Sequence, residues 1–354
     1  MRRNRSVLGL TTAALMATLL APGSAFAFGD DNGESAGRPT GHSGGGASGK
    51  DLMANVSQSK IVVKPTAGAV SGASAGKLTP VDPNWVPPTC WYEPAMTPEQ
   101  LKSGVDRLKT DGGLGAVNAK LFWSAGLFVD QYMKGKEAEG YKNYNLGKKG
   151  MFWRSVVRKG FEMDIRAWDC SKIMFWQDAG TVPDDVNAPT PDVLAAYAYD
   201  KIRVPDTHVK LKPAVKSTVN LPTWVWLDKG TFKQVKVRAV LPGTGLWAET
   251  TAKPVSLHLE PGTEDAQVSP SSGDCLINAD ESIGAPYSKG DADKTPPCGI
   301  TYLRATDGKP YQLKASVTWQ ISWTGSGGAN GDLPDGTFES TQDMNVQEIQ
   351  SVNR

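Results

Sequence analysis

The chain is poor in the side chains that run most metal and acid–base chemistry. Its 354 residues include three histidines, His42, His208 and His258. None has a neighbouring His, Cys or carboxylate at ligand spacing. Only four cysteines occur, Cys90, Cys170, Cys275 and Cys298, with no C-x-x-C pair, so a zinc site is not expected. Charge of either sign is not in excess, at 38 basic against 37 acidic residues. That balance excludes a dedicated nucleic-acid binder. Beyond the first 27 residues no apolar run is long enough to span a bilayer, so the mature chain is read without a membrane span.

Those first residues carry a different signal. Arg2, Arg3 and Arg5 precede an apolar stretch from Val7 to Ala21, interrupted only by Gly9 and threonines. Ala25-Phe26-Ala27 closes it with a small-x-small cleavage pattern. Residues 1–27 are therefore predicted to be a secretory leader, which places the mature protein outside the cytoplasm, at or beyond the cell envelope. Without the three leader arginines the balance is 35 basic to 37 acidic. An even number of cysteines in an exported chain predicts disulfides. Three pairings are open, and proximity favours Cys90 with Cys170 and Cys275 with Cys298.

Residues 28–84 are rich in Gly, Ser, Ala and Pro, and after Phe28 they hold no aromatic until Trp85. They are predicted to be a disordered tether. Thr97-Pro98-Glu99-Gln100 reads as a helix start, with Thr97 as N-cap, Pro98 at the first helical position and Gln100 placed to reach back. A second helix is predicted over Val117–Met133, and Thr190-Pro191-Asp192 opens a third. Phe152, Val156, Phe161, Met163 and Ile165 alternate with polar neighbours and predict strands across 151–176. Residues 85–215 thus read as a small α+β domain. From residue 216 to 354 the pattern is all-β. Its clearest segment is Tyr311–Trp323, where seven apolar residues alternate with six polar ones without a slip.

Several patterns carry candidate chemistry. Lys148, Lys149, Trp153, Arg154 and Arg158 belong to a basic stretch interleaved with aromatics, a candidate surface for an anionic cell-wall polymer. The other partner considered is a second envelope protein, docking on an aromatic patch at Trp224, Trp226 or Trp247. Glu162, Asp164 and Asp169 lie in a tryptophan-rich region and are candidate acids for glycan hydrolysis. Asp274, Asp280, Asp291 and Asp293 are oxygen donors of the kind calcium takes, without EF-hand order. Gly41-His42-Ser43-Gly44-Gly45 has the letters of a nucleophile elbow but no strand or helix beside it. Gly243-Thr244-Gly245-Leu246-Trp247-Ala248 has the letters of a dinucleotide loop, yet a strand rather than a helix should follow. No catalytic residue, cofactor or metal is predicted.

Pro297-Cys298-Gly299-Ile300-Thr301-Tyr302, followed by Tyr311–Trp319, resembles the polycystic-kidney-disease (PKD) type of sandwich domain. That family has a His-Thr-Tyr turn leading into such a strand, and Ile300 stands at the His position. The resemblance implies an Ig/PKD-like β-sandwich for the C-terminal part. The mature chain as a whole is similar to a group of secreted actinobacterial proteins that share stretches like Val219–Asp228, some of them labelled enoyl reductases. A reductase needs a dinucleotide loop in its proper context and a nicotinamide pool, and an exported chain with these glycine patterns offers neither. The expectation is a non-enzymatic binding or structural protein of the cell envelope.

Overall fold

The computed structural model describes residues 59–68, 75–110, 129–135 and 141–349, apart from 173, 207, 215 and 229–231. The leader, the elbow-like Gly41–Gly45 and the start of the helix expected from Val117 lie outside the described residues.

The described chain is mostly β. Its first strands are β1 (Val62–Ala67), β2 (Ala75–Lys77), β3 (Thr79–Pro80), β4 (Cys90–Met96), β5 (Gly150–Val157) and β6 (Met174–Asp178). Then come β7 (Arg203–Pro205), β8 (Lys210–Lys212), β9 (Lys216–Thr218), β10 (Pro222–Leu227), β11 (Val235–Leu241) and β12 (Leu246–Glu260). The last are β13 (Ala266–Ser269), β14 (Asp274–Leu276), β15 (Ile283–Gly284), β16 (Gly299–Tyr302), β17 (Tyr311–Gly325) and β18 (Asn330–Gln347). Among the described residues two α-helices, α1 (Pro98–Thr110) and α2 (Pro191–Lys201), complete the frame.

One large sheet orders its strands β1-β11-β12-β17-β18-β3, with β14 beside β12 and β9 beside β18. A second runs β13-β16-β10-β15, with β8 also on β10. Both bury residues in one core, where Val225, Leu227, Ile283 and Ile300 meet Leu257, Leu313, Val317 and Trp319. β17 behaves as its period of two predicts. Leu313, Ala315, Val317, Trp319 and Ile321 are buried while Gln312, Lys314, Gln320 and Ser322 are exposed. β12 is less regular. Ala248, Thr250 and Ala252 face inward, and then Leu257 and Leu259 do. That change of parity needs one extra residue, and the register shifts between Pro254 and Ser256 to supply it. The bulge lets both halves of a 15-residue strand bury an apolar face.

The N-terminal half of β12 is covered by α2. Its Ala195, Ala196 and Ala198 are buried, and these small side chains let helix and sheet approach closely. The Thr250 hydroxyl donates to the Ala195 carbonyl at 2.9 Å across that contact. Thr190 caps α2 by position only, since its side chain makes no capping bond. α1 opens with the anticipated capping box. The Gln100 N–H donates to Thr97 Oγ1 at 3.2 Å, and the Thr97 N–H donates to Gln100 Oε1 at 2.9 Å.

β4, β5 and β6 form a separate antiparallel sheet. Leu101 and Val105 of α1 pack with Tyr132, Tyr144 and Phe152 in one cluster. Tyr92, Trp153 and Phe175 pack in another, around the Cys90–Cys170 disulfide. The second disulfide joins Cys275 and Cys298, and no cysteine among the described residues is free.

Three expectations need correction. Within the span read as a tether, Val62–Ala67 pairs with β11, β2 with β7 and β3 with β18. A short apolar run, Ile61-Val62-Val63, suffices for β1 because an existing sheet edge supplies its hydrogen bonds. The boundary near residue 215 is not a break in packing, since α2, Trp91 and Val156 share the core of the two larger sheets. Of the span 151–176 read as strands, β5 ends at Val157 and strand geometry resumes only at Met174 in β6. Gly160 has φ +88, and residues 161–169 form turns and a 3-10 helix rather than an alternating strand.

Candidate functional site

Period two on β10 decides what its tryptophans do. Val225 and Leu227 enter the shared core, so Trp224 and Trp226 lie on the other face. Trp224 is buried there, with Tyr287 set edge-on at 5.9 Å. Trp226 is only half-buried and borders an open cleft of about 350 Å³. The remaining walls are Leu227, Asp228, Asp280, Ser282, Gly284 and Pro286.

Gly284 sets the floor of this cleft. It pairs with Trp226, has φ +69, and a Cβ there would lie 2.3 Å from the Val225 carbonyl oxygen. Only glycine lets the 280–286 loop lie this close to β10. The loop is then held by its own side chains. Asn278 Nδ2 donates to the Gly284 carbonyl at 2.8 Å and to Ser282 Oγ at 2.9 Å. Asp280 Oδ1 accepts from the Ser282 hydroxyl at 2.6 Å and from its N–H at 3.2 Å. Asp228 is paired with Lys210 of β8. The Cys275–Cys298 disulfide ties both ends of the segment that carries the loop. The result is an indole beside two carboxylates, a hydroxyl and an ammonium group. Such a set suits a ring with one apolar face and a hydroxyl rim.

The basic stretch is divided by the fold. Lys148 and Lys149 are exposed at the turn before β5, but Trp153, Arg154 and Arg158 are buried. The physical reason is that β5 is packed on both faces, with Phe152 in the cluster of α1 and Trp153 in the cluster around the Cys90–Cys170 disulfide, and Arg158 follows directly on its end. Arg154 pairs in register with the buried Glu93 of β4. Arg158 Nε donates to the Pro88 carbonyl at 2.9 Å. Its guanidinium lies 5.6 Å from the Tyr197 ring centroid and 4.0 Å from Asp200. Burial pulls the pKa of both guanidinium groups below the ordinary arginine value, against the opposing pull of Glu93 and Asp200. The five residues therefore form no continuous outer surface.

The candidate acids serve the turn that carries them. Glu162 accepts the Gly160 N–H with both oxygens, at 2.8 and 3.0 Å. Asp164 caps the 3-10 helix by accepting the Arg166 N–H at 2.9 Å, and it grips that guanidinium at 2.8 and 2.5 Å. Those bonds hold its carboxyl at about 2, well below 3.8. The carbonyl of Asp169 takes the Asn187 side-chain amide at 3.2 Å.

Among the calcium candidates, Asp274 bonds His258 at 2.7 Å and Asp291 pairs with Lys294 at 2.8 Å. The two described histidines thus do have carboxylate neighbours, His208 meeting Asp206 at 3.1 Å. His258 and Asp274 come together through β12–β14 pairing, which linear spacing does not show. Among the described residues no group of three or more His, Cys, Asp or Glu could hold a metal. Gly243–Gly245 is a turn between β11 and β12, with both glycines at positive φ, and Leu246–Ala248 opens β12 where a dinucleotide loop would need a helix. Trp247 is covered by Arg238, whose guanidinium carbon lies 3.7 Å from the ring centroid.

Sequence reasoning names Trp226 and Asp280, but for separate roles. Their meeting depends on β10–β15 pairing. No family model matches this chain, no curated protein is similar to it, and no solved structure matches its fold.

Proposed function

We infer that this is a secreted, non-enzymatic binding protein of the cell envelope, and that the Trp226 cleft takes a glycan. The observation that carries the reading is the cleft itself, an indole with Asp228, Asp280 and Ser282 around about 350 Å³, Asp228 being paired with Lys210. A pyranose ring presents C–H groups to an aromatic face and hydroxyls to carboxylates. Two disulfides fit an oxidising compartment, as the leader-like N-terminus does. Among the described residues no helix is long and apolar enough to cross a membrane. The α+β region followed by an Ig/PKD-like sandwich remains our reading of the architecture, supported by two sheets around a shared core.

The test is retention of the purified protein on cell-wall sacculi across a salt series. Retention should persist at high salt and be lost in Trp226→Ala, whose thermal midpoint stays that of the wild type. Absence of retention at any salt refutes the glycan reading. Retention that only low salt supports transfers the binding to exposed lysines such as Lys148 and Lys149.

A further inference from the structure

A different face of the molecule displays strongly exposed apolar side chains. Met163 is 95% exposed, Ile165 82%, Val186 96% and Trp168 50%. They stand on two neighbouring loops. Asn187 bonds the Asp169 carbonyl, and Lys172 pairs with Asp185 at 2.8 Å, joining the 161–169 turn to the 182–187 segment. The display is rigidly mounted. Cys170 is bridged to Cys90 at the base, Asp164 caps the 3-10 helix, and Glu162 closes the turn at Gly160.

We propose that this face inserts into the headgroup–hydrocarbon boundary of a lipid bilayer. Side chains exposed above four-fifths project from the surface, as inserting groups must, instead of lining a groove for a partner's side chain. The four residues expose on the order of 500 Å², a substantial apolar patch that falls short of the roughly 800 Å² per partner of a stable dimer. A bilayer needs no complementary surface, because binding grows with the apolar area it covers. The half-exposed Trp168 shares a 3-10 turn with Ile165, and tryptophan favours the headgroup level. The charges between the tips are already matched, Arg166 by Asp164 and Lys172 by Asp185. Lys159, Glu162, Asp169 and Asp184 leave the rim slightly acidic, so the face is suited to a zwitterionic surface and not to an anionic one.

The experiment is co-sedimentation of the purified protein with phosphatidylcholine vesicles, repeated with vesicles containing phosphatidylglycerol. Wild-type protein should partition onto phosphatidylcholine independently of salt, and no more strongly onto the anionic vesicles. Ile165→Asp should lower the partition coefficient by at least about tenfold, since a charge must then leave water. Met163→Ser should lower it less. Leu276→Asp, at a position 72% exposed on β14, should leave it unchanged. Near-ultraviolet circular dichroism checks that each variant is folded. Failure of the wild type to bind phosphatidylcholine overturns the proposal, as does equal loss in Leu276→Asp. Concentration-dependent dimerisation abolished by Ile165→Asp, without vesicle binding, overturns it in favour of a second copy.

Discussion

Replacing Glu93 should be among the most damaging single changes in this fold. Its carboxylate is fully buried on β4, where Oε1 accepts Trp91 Nε1 and Ser59 Oγ, each at 2.6 Å, and Oε2 accepts the Lys60 N–H at 2.6 Å. The buried Arg154 pairs with it in register. Glu93→Ala removes the acceptor of three donors and the negative charge that faces Arg154. Breaking a buried pair from one side costs about 3–5 kcal/mol. At a few degrees per kcal/mol that is a fall of roughly 10 °C in Tm. Glu93→Gln keeps the volume and one acceptor oxygen but turns an amide NH2 toward a donor, so about 2 kcal/mol is expected. Ser59→Ala loses one bond at a half-buried site, about 1 kcal/mol. Arg154→Met combined with Glu93→Gln should recover part of the loss, since the guanidinium that faced Glu93 is then removed as well. Guanidinium unfolding followed by tryptophan fluorescence gives the order Ala, then Gln, then Ser59→Ala. Limited trypsin digestion should also cut faster after Lys60 in Glu93→Ala, because Glu93 accepts the Lys60 N–H and holds the entry to β1. A Glu93→Ala protein as stable as wild type, with β1 still protected, would refute the reasoning.

Two further outcomes follow from local geometry. Cys275 and Cys298 are 23 residues apart, and Cys90 and Cys170 are 80 apart. The chain-entropy model then gives about 3 and about 4.5 kcal/mol for loss of the short and the long bridge. Double Cys→Ser variants of each pair, compared by denaturant unfolding, should keep that order, and its reversal would show that the native loops matter more than the unfolded chain. Asp164 titrates at about 2 in the folded protein against 3.8 unperturbed. A depressed folded-state value means that its contribution is complete above about pH 4 and is lost as pH falls toward 2. A carboxyl NMR titration should place its midpoint near 2, and Arg166→Ala should move it upward. A midpoint unmoved by that substitution would mean that the cap does not set it.

Local interactions are legible in the order of the residues. The capping box at Thr97–Gln100 needs only four residues in the right sequence, and it forms as written. The alternation along Tyr311–Trp323 has one solution, a strand with a wet face and a dry one, because a helix would scatter the same residues around its circumference. The same rule misleads at 161–165. Alternation in a short stretch also arises on a turn, and Gly160 at positive φ with Asp164 as a cap redirects that segment and leaves Met163 and Ile165 outside.

The sequence by itself determined the period of Tyr311–Trp323, the helix starts at Thr97 and Thr190 and the residues able to bridge as disulfides, since all of these depend on neighbours along the chain. Only the tertiary structure decided which charges are inside. Arg154 and Arg158 sit in a run of basic residues that resembles a solvated surface, and strand pairing sets Glu93 against one while Asp200 lies beside the other. The Trp226 cleft was decided in the same way. Trp226, Asp228 and Asp280 span more than fifty positions, and they meet because β15 returns to pair with β10 at a glycine that no larger residue could replace.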